Sequence, residues 1–290
     1  MSAAARLIEA AARLEGDGRG CFDAARDLES WPGIVHGGAL VGILDGAARA
    51  LAAPAGPRIV EARLTTSVPL ESALALEGHA HEGGVTVSIL EAGQPLTSVS
   101  VAPLLAASGA RTATAPAPGG GALLPASEQC LACGAANPVG LQARLCVHED
   151  GVWVAHRPRD AWRDGDGAVH PALAPVLLDE VAWWLGAITM GEGGVTNRIH
   201  LELLEPHLPG DGTLLAGGRF DEVAPVDRRK TFWRTAITLT HDSGAVLARA
   251  SIVYRGGPEY SARQLPFFRA RTPAELFRRL FPAHASGTAR

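Results

Sequence analysis

The chain repeats itself, and that constrains its fold more than any other feature. Val35-His36-Gly37-Gly38-Ala39-Leu40-Val41-Gly42-Ile43-Leu44-Asp45 lies over Val169-His170-Pro171-Ala172-Leu173-Ala174-Pro175-Val176-Leu177-Leu178-Asp179 without a gap. Both segments read Val-His, an apolar run, then Leu-Asp. Further along, Arg58-Ile59 matches Arg198-Ile199, Pro69 matches Pro209 and Gly78 matches Gly218, all at one offset. The strand-turn-strand pattern around Gly93 resembles that around Gly244. Three anchors in the same order point to a duplicated domain.

Ala106–Gln129 separates the copies. It is built mainly of Ala, Gly, Pro, Ser and Thr, too little apolar surface to offset its ordering entropy, so it reads as a flexible linker. The expected layout is an N-terminal helix over 1–18, a first domain over 19–105, the linker, a second domain over 130–256 and a tail over 257–290. Within each copy one helix, Gly38–Ala52 or Ala172–Ile188, precedes several short strands. These are Ile59–Val68, Leu74–His79, Val85–Glu91 and Leu96–Leu104, then Asn197–Leu204, Thr213–Phe220, Thr231–Thr240 and Ala245–Tyr254. One long helix on an antiparallel sheet is an α+β layer, and its open sheet edge favours edge-to-edge pairing of the copies. In the tail, Thr272-Pro273-Ala274-Glu275 reads as a capped helix start. Leu276, Phe277, Leu280 and Phe281 then form one apolar stripe.

Composition excludes several classes. With 26 Lys+Arg against 30 Asp+Glu, net −4, a dedicated nucleic-acid binder is not expected. No run approaches 18 uncharged apolar residues, so no membrane span is expected. Arg6, Glu9, Arg13 and Glu15 interrupt any secretory core near the N-terminus, which points to a surface helix and a cytoplasmic protein. Four cysteines in 290 residues are not a disulfide framework. Neither a phosphate-cradling glycine loop nor a G-x-S-x-G nucleophile elbow is present.

Val35-His36-Gly37-Gly38…Leu44-Asp45 resembles the V-H-G-G-x-x-x-x-x-L-D helix start of hotdog-fold thioesterases of the phenylacetate-pathway type. Cys130-Leu131-Ala132-Cys133-Gly134-Ala135-Ala136-Asn137-Pro138-Val139-Gly140-Leu141 is similar to the C-x-x-C-G-x-x-N-P-x-G-L segment of many members of that superfamily, and Leu178-Asp179-Glu180 fits its L-D-E variant. The resemblance covers roughly 19–105 and 130–256. It implies a tandem (double) hotdog, each copy a long helix wrapped by an antiparallel sheet. It also implies an acyl-thioester hydrolase acting on an acyl-CoA or acyl carrier protein substrate. There, a backbone N–H at one helix start polarises the carbonyl and a carboxylate from the other helix acts as nucleophile or base. Two departures stand out: Gly46 replaces a frequent Glu, and Pro171-Ala172 replaces Gly-Gly.

Elementary chemistry is compatible with this. A helix start offers unpaired N–H groups and a positive dipole end, and Gly37 and Gly38 admit close approach of a ligand. Each Asp lies too far along its helix to serve its own N-terminus, so use across the copies is expected. Two sites are conceivable: Gly37 N–H with Asp179, and the Pro171 position with Asp45. Proline has no N–H, so the first is expected to work and Asp45 to be structural or vestigial. His36 reads as a backbone-bonded histidine or a proton-transfer group. Trp183, one turn past Asp179, reads as core or acyl-pocket wall, and Arg228-Arg229-Lys230 as a solvated loop or a coenzyme A phosphate contact. Cys130 and Cys133 read as a turn with buried thiols; a Cys₃His zinc site with Cys146 and His148 is conceivable, but a lone C-x-x-C is weak support. No metal or separate cofactor is expected, coenzyme A entering only as part of the substrate. A homodimer is compatible with the pattern. The alternatives are a hotdog that binds an acyl or aromatic ligand without hydrolysing it, and an enoyl-thioester hydratase or dehydratase. The hydratase motif D-x-N-P-x-H is incomplete around Asn137-Pro138.

Overall fold

The structure, a computed structural model, describes residues 1–106 and 121–285. The first copy opens with α1 (Ala3–Ala11), β1 (Ala12–Leu14) and β2 (Arg19–Asp23). The long helix α2 (Gly37–Ala50) follows, then β3 (Arg58–Leu64), β4 (Ala73–His81), β5 (Gly84–Glu91) and β6 (Gln94–Pro103). The second copy has β7 (Ala122–Leu123), β8 (Cys146–Val147), β9 (Gly151–His156), α3 (Leu173–Met190), β10 (Gly194–Leu203), β11 (Leu214–Arg219), β12 (Ala224–Pro225), β13 (Phe232–His241) and β14 (Val246–Gly256). Two helices close the chain, α4 (Pro258–Arg269) and α5 (Ala274–Leu280).

Local sequence accounts for the boundaries of these elements. His36 caps α2, its Nδ1 within 3.1 Å of the Gly38 nitrogen, and α3 stops at Gly191, which takes the left-handed conformation at φ +70° that glycine tolerates best. Ala92 and Gly93, both at positive φ, turn β5 into β6 as a tight hairpin requires.

All strands join one 14-stranded antiparallel sheet. Copy one contributes the order β2-β4-β5-β6-β3 and copy two β10-β14-β13-β11-β9, so the two halves mirror each other across the β3–β10 seam. There the strands run antiparallel from Arg58↔Leu203 to Arg63↔Arg198, which removes both open edges by pairing them. α2 packs on β3, β5 and β6, and α3 packs on β9, β10, β11, β13 and β14. Leu40, Ile43, Leu44, Leu177, Leu178 and Leu185 are fully or almost fully buried between helices and sheet. By length and composition α3 is apolar enough to cross a bilayer, but 78% of it is buried inside the protein. The two helices also touch each other. A Cβ on Gly38 would lie 2.2 Å from the Pro175 carbonyl oxygen, and one on Gly42 would lie 2.5 Å from Ala172 Cβ. Glycines at these two positions bring the helix starts together.

Several expectations needed correction. The N-terminal helix ends at Ala11, and Ala12–Leu14 become a strand paired with β2. Most of the expected flexible linker, 107–120, lies outside the described residues. Its last part is folded: Ala122–Leu123 pair with β8 and Leu124 is buried. Thr272 does not cap α5. Its hydroxyl donates back to the Phe268 carbonyl at 2.7 Å, and Pro273 holds the cap position. Helix α4 had no counterpart in the sequence reading.

Candidate active site

Where the starts of α2 and α3 meet, Asp179 of copy two reaches copy one. Its Oδ2 accepts the Gly38 N–H at 2.7 Å and its Oδ1 accepts the Thr196 hydroxyl at 2.5 Å. Thr196 stands near the start of β10, beside the seam between copies. Burial raises the Asp179 pKa above the usual carboxylate value, while His36, Thr196 and Gly38 pull in the opposite direction. Each oxygen of the carboxylate keeps accepting capacity beyond these bonds.

His36 lies against the same carboxylate, with Nδ1 3.4 Å from Asp179 Oδ2 and Nε2 3.5 Å from Glu180 Oε2. Burial disfavours a charged imidazole here, but Cys130, Glu180 and Asp179 outweigh it and the His36 pKa lies well above its ordinary value. The Gly38 N–H is shared with Nδ1 only in the tautomer that leaves that nitrogen bare. Gly37 occupies the first helical position, whose N–H has no intrahelical acceptor. A Cβ there would approach Asp179 Oδ2 to 2.8 Å, so glycine leaves room for the carboxylate.

Asp179, His36, Gly37 and Thr196 form the floor of a cavity of about 260 Å³. Its apolar wall is aromatic: Trp31 and Trp183 lie 5.4 Å apart, and Phe268 of α4 meets Trp31 edge-on at 4.9 Å and Trp183 at a tilt at 5.3 Å. The Trp183 Nε1–H donates to the Gly194 carbonyl at 2.8 Å, so the indole lines the cavity in a locked orientation. Arg255 and Tyr260 also line it, with the guanidinium 5.8 Å from the Tyr260 ring.

The second conceivable site is closed. Asp45 accepts two bonds from the Arg58 guanidinium, at 2.7 and 2.6 Å, and lies 3.6 Å from Arg49 Nε. Both Asp45 and Arg58 are buried, so this carboxylate is committed to an ion pair. His170, the counterpart of His36, accepts the Ala172 N–H at 3.3 Å, and burial with the nearby Arg49 lowers its pKa to about 4.

Of the residues singled out from sequence, Asp179, His36, Gly37, Gly38 and Trp183 converge, whereas Asp45 does not join them. Arg228, Arg229 and Lys230 occupy the turn between β12 and β13 and are absent from the cavity wall; the cation there is Arg255. Asn137 is a brace, its amide donating to the carbonyls of Asp27 and Gln129 at 2.8 and 2.9 Å. Sequence reasoning missed Thr196, Arg255, Trp31 and α4. Thr196 had no signal in the repeat, because the offset that aligns Arg58 with Arg198 places Gly56 opposite it.

No protein-family model and no curated protein matches the sequence. Solved structures do match. A tesB protein of Mycobacterium avium subspecies paratuberculosis superposes with a TM-score of 0.64 at 14% identity, over 89% of this chain and all of that one. The fold is a double hotdog. A putative thioesterase of Novosphingobium aromaticivorans gives 0.59 at 19% identity, over 85% of this chain and 98% of its own. The GphF dehydratase gives 0.50 at 14% identity, over 85% and 97%. The double hotdog thus hosts more than one chemistry, and the choice between them rests on the site.

Proposed function

We propose that this double hotdog hydrolyses acyl thioesters, with one working site per chain. The observation that carries the reading is Asp179, a buried carboxylate from one copy held against the helix start of the other, at the floor of an aromatic cavity. In the proposed reaction Asp179 takes a proton from water as the water oxygen attacks the thioester carbonyl carbon. The Gly37 N–H, at the positive end of α2, stabilises the oxyanion that forms. The C–S bond then breaks, and the proton on Asp179 passes to the leaving thiolate, giving a carboxylic acid and a thiol. Thr196 and Gly38 orient the carboxylate, and His36 supports it from the side.

The aromatic wall suits an acyl or aryl group. Arg255 at the cavity wall suits an anionic carrier such as coenzyme A. Hydration of an enoyl thioester has less support, since Asn137 is fully engaged in bracing. Incubating the protein with a panel of acyl-CoAs and a chromogenic thiol reagent tests the reading. Thiol release above background on at least one acyl group is expected. Ligand-induced thermal stabilisation without thiol release on any member would overturn it in favour of a binding protein.

A further inference from the structure

Beside the Asp179 carboxylate, lining the same cavity, His36 also belongs to a second cluster whose other members the proposed hydrolysis does not use. Glu180 Oε2 sits 3.5 Å from His36 Nε2 and 3.8 Å from Cys130 Sγ. One ligand atom from each of these three residues lies within 4.8 Å of the others. Cys133, three residues on from Cys130 in the same turn, also lines the cavity. Around a tetrahedral zinc ion, adjacent N, O and S ligands stand roughly 3.3–3.8 Å apart, so the His36–Cys130–Glu180 trio needs little adjustment to close on a metal.

The backbone also fits. Cys130–Cys133 is a tight turn in which the Cys133 N–H donates to Cys130 Sγ at 3.5 Å and the Gly134 N–H donates to the Cys130 carbonyl at 2.8 Å. A Cβ at Gly134 would collide with the carbonyls of Cys130 and Glu128, both at 2.5 Å. Such an N–H···S bond favours a thiolate. His36, Cys130 and Cys133 are buried, at 1, 2 and 5% exposure. Two thiols and two carboxylates face one imidazole here, a donor set whose charge a divalent cation would balance.

We infer that His36, Cys130 and Glu180 form the core of a binding site for a zinc-class divalent transition metal, with Cys133 of the same C-x-x-C turn rotating in as the fourth ligand. The ligands come from both copies: His36 from the start of α2, Glu180 from α3 and the cysteines from the turn before β8. A metal there would clamp the copies together beside the catalytic floor. With Nε2 on the metal, the His36 ring proton is on Nδ1, which then gives up its cap contact with the Gly38 N–H, left to Asp179 Oδ2, and faces that oxygen itself, an arrangement in which a carboxylate orients a ligating histidine. This ligand set differs from the Cys₃His set considered from sequence, since Cys146 and His148 are not part of the cluster. It does not rest on thioester hydrolysis.

The test is Co(II) titration of the fully reduced, metal-stripped chain. One equivalent should bind, with thiolate-to-cobalt charge-transfer bands in the near ultraviolet and intense tetrahedral d–d bands in the red, and Zn(II) should displace it. Cys130→Ser and Glu180→Gln should weaken binding beyond the roughly 10–100-fold cost of a second-shell change, whereas Cys146→Ser should leave it intact. If the site variants fail to fold, zinc-loaded wild-type protein still answers. Titrating its thiols with a mercurial should release zinc to a chromophoric chelator in step with two buried thiols. Absence of thiolate–cobalt bands and of zinc release in the wild-type chain, or loss of both on Cys146→Ser, would overturn the inference.

Discussion

Asp179 Oδ2 accepts the Gly38 N–H at 2.7 Å, across 141 positions of sequence and from one hotdog copy to the other. The bond joins the start of one central helix to the second turn of the other, so the candidate site exists only when the copies dock. The same contact explains the paired glycines. Gly38 lets the helix backbones approach, while Gly37 leaves room for the carboxylate.

Replacing these glycines should therefore have separable effects. Gly38→Ala meets backbone atoms and is expected to destabilise the protein by about 1–3 kcal/mol through overpacking. Gly37→Ala meets mainly the Asp179 carboxylate, so it should lower kcat with a smaller fall in melting temperature. Thermal melts and steady-state thioester kinetics on both variants check this. Equal effects on stability and turnover at the two positions would contradict it.

Thr196 donates to the carboxylate proposed as the base, and hydrogen bonds to charged groups contribute about 1.5–3 kcal/mol. Thr196→Val should cut kcat roughly 10–100-fold, while Thr196→Ser, which keeps the donor, should restore most of it. A Thr196→Val variant with unchanged kcat would show that the bond has no part in turnover.

Trp31 is half-buried and forms part of the aromatic wall. Truncating it to Ala should lengthen the cavity and favour longer acyl groups. Each extra buried methylene is worth about 0.8 kcal/mol, or roughly fourfold in kcat/KM. Chain-length profiles of wild-type and variant protein measure the shift, and superimposable profiles would remove Trp31 from the acyl pocket.

Two buried histidines set an acid limit on stability. Burial, with Arg159 near one and Arg49 near the other, lowers His156 and His170 to about 4. A depressed histidine stabilises the fold above its unfolded value, about 6.5. That contribution is lost as pH falls from about 6.5 towards 4, because the unfolded chain takes up the proton first. Denaturant midpoints should therefore drop over this window. His170→Asn keeps an acceptor for the Ala172 N–H but cannot titrate, so its midpoint should fall less steeply than that of the wild type.

Much of this arrangement was legible in the sequence because duplication writes each element twice. The paired Val-His…Leu-Asp segments located both helices, and period-two alternation located the main strands. Proline at position 171 pointed to unequal sites, and the structure adds that Arg58 neutralises Asp45. What stayed hidden occurs once. Thr196 faces a glycine in the repeat, α4 follows the duplicated region, and Trp31 lies in an irregular loop without periodicity. The cluster of His36, Cys130, Cys133 and Glu180 is assembled from three distant segments, so no local spacing encodes it.

The two repeated aspartates give the most direct test of the account. Asp179→Asn keeps the shape of the side chain but removes the base. It should abolish thioester turnover, by at least the 10²–10⁴-fold typical of a lost general base, while the protein stays folded. Asp45→Asn breaks a buried ion pair and leaves Arg58 uncompensated, which should cost about 3–5 kcal/mol of stability yet preserve kcat in the folded fraction. Side-by-side kcat and unfolding free energies for these two variants decide the matter. Full turnover in Asp179→Asn together with loss of turnover in folded Asp45→Asn would contradict the account outright.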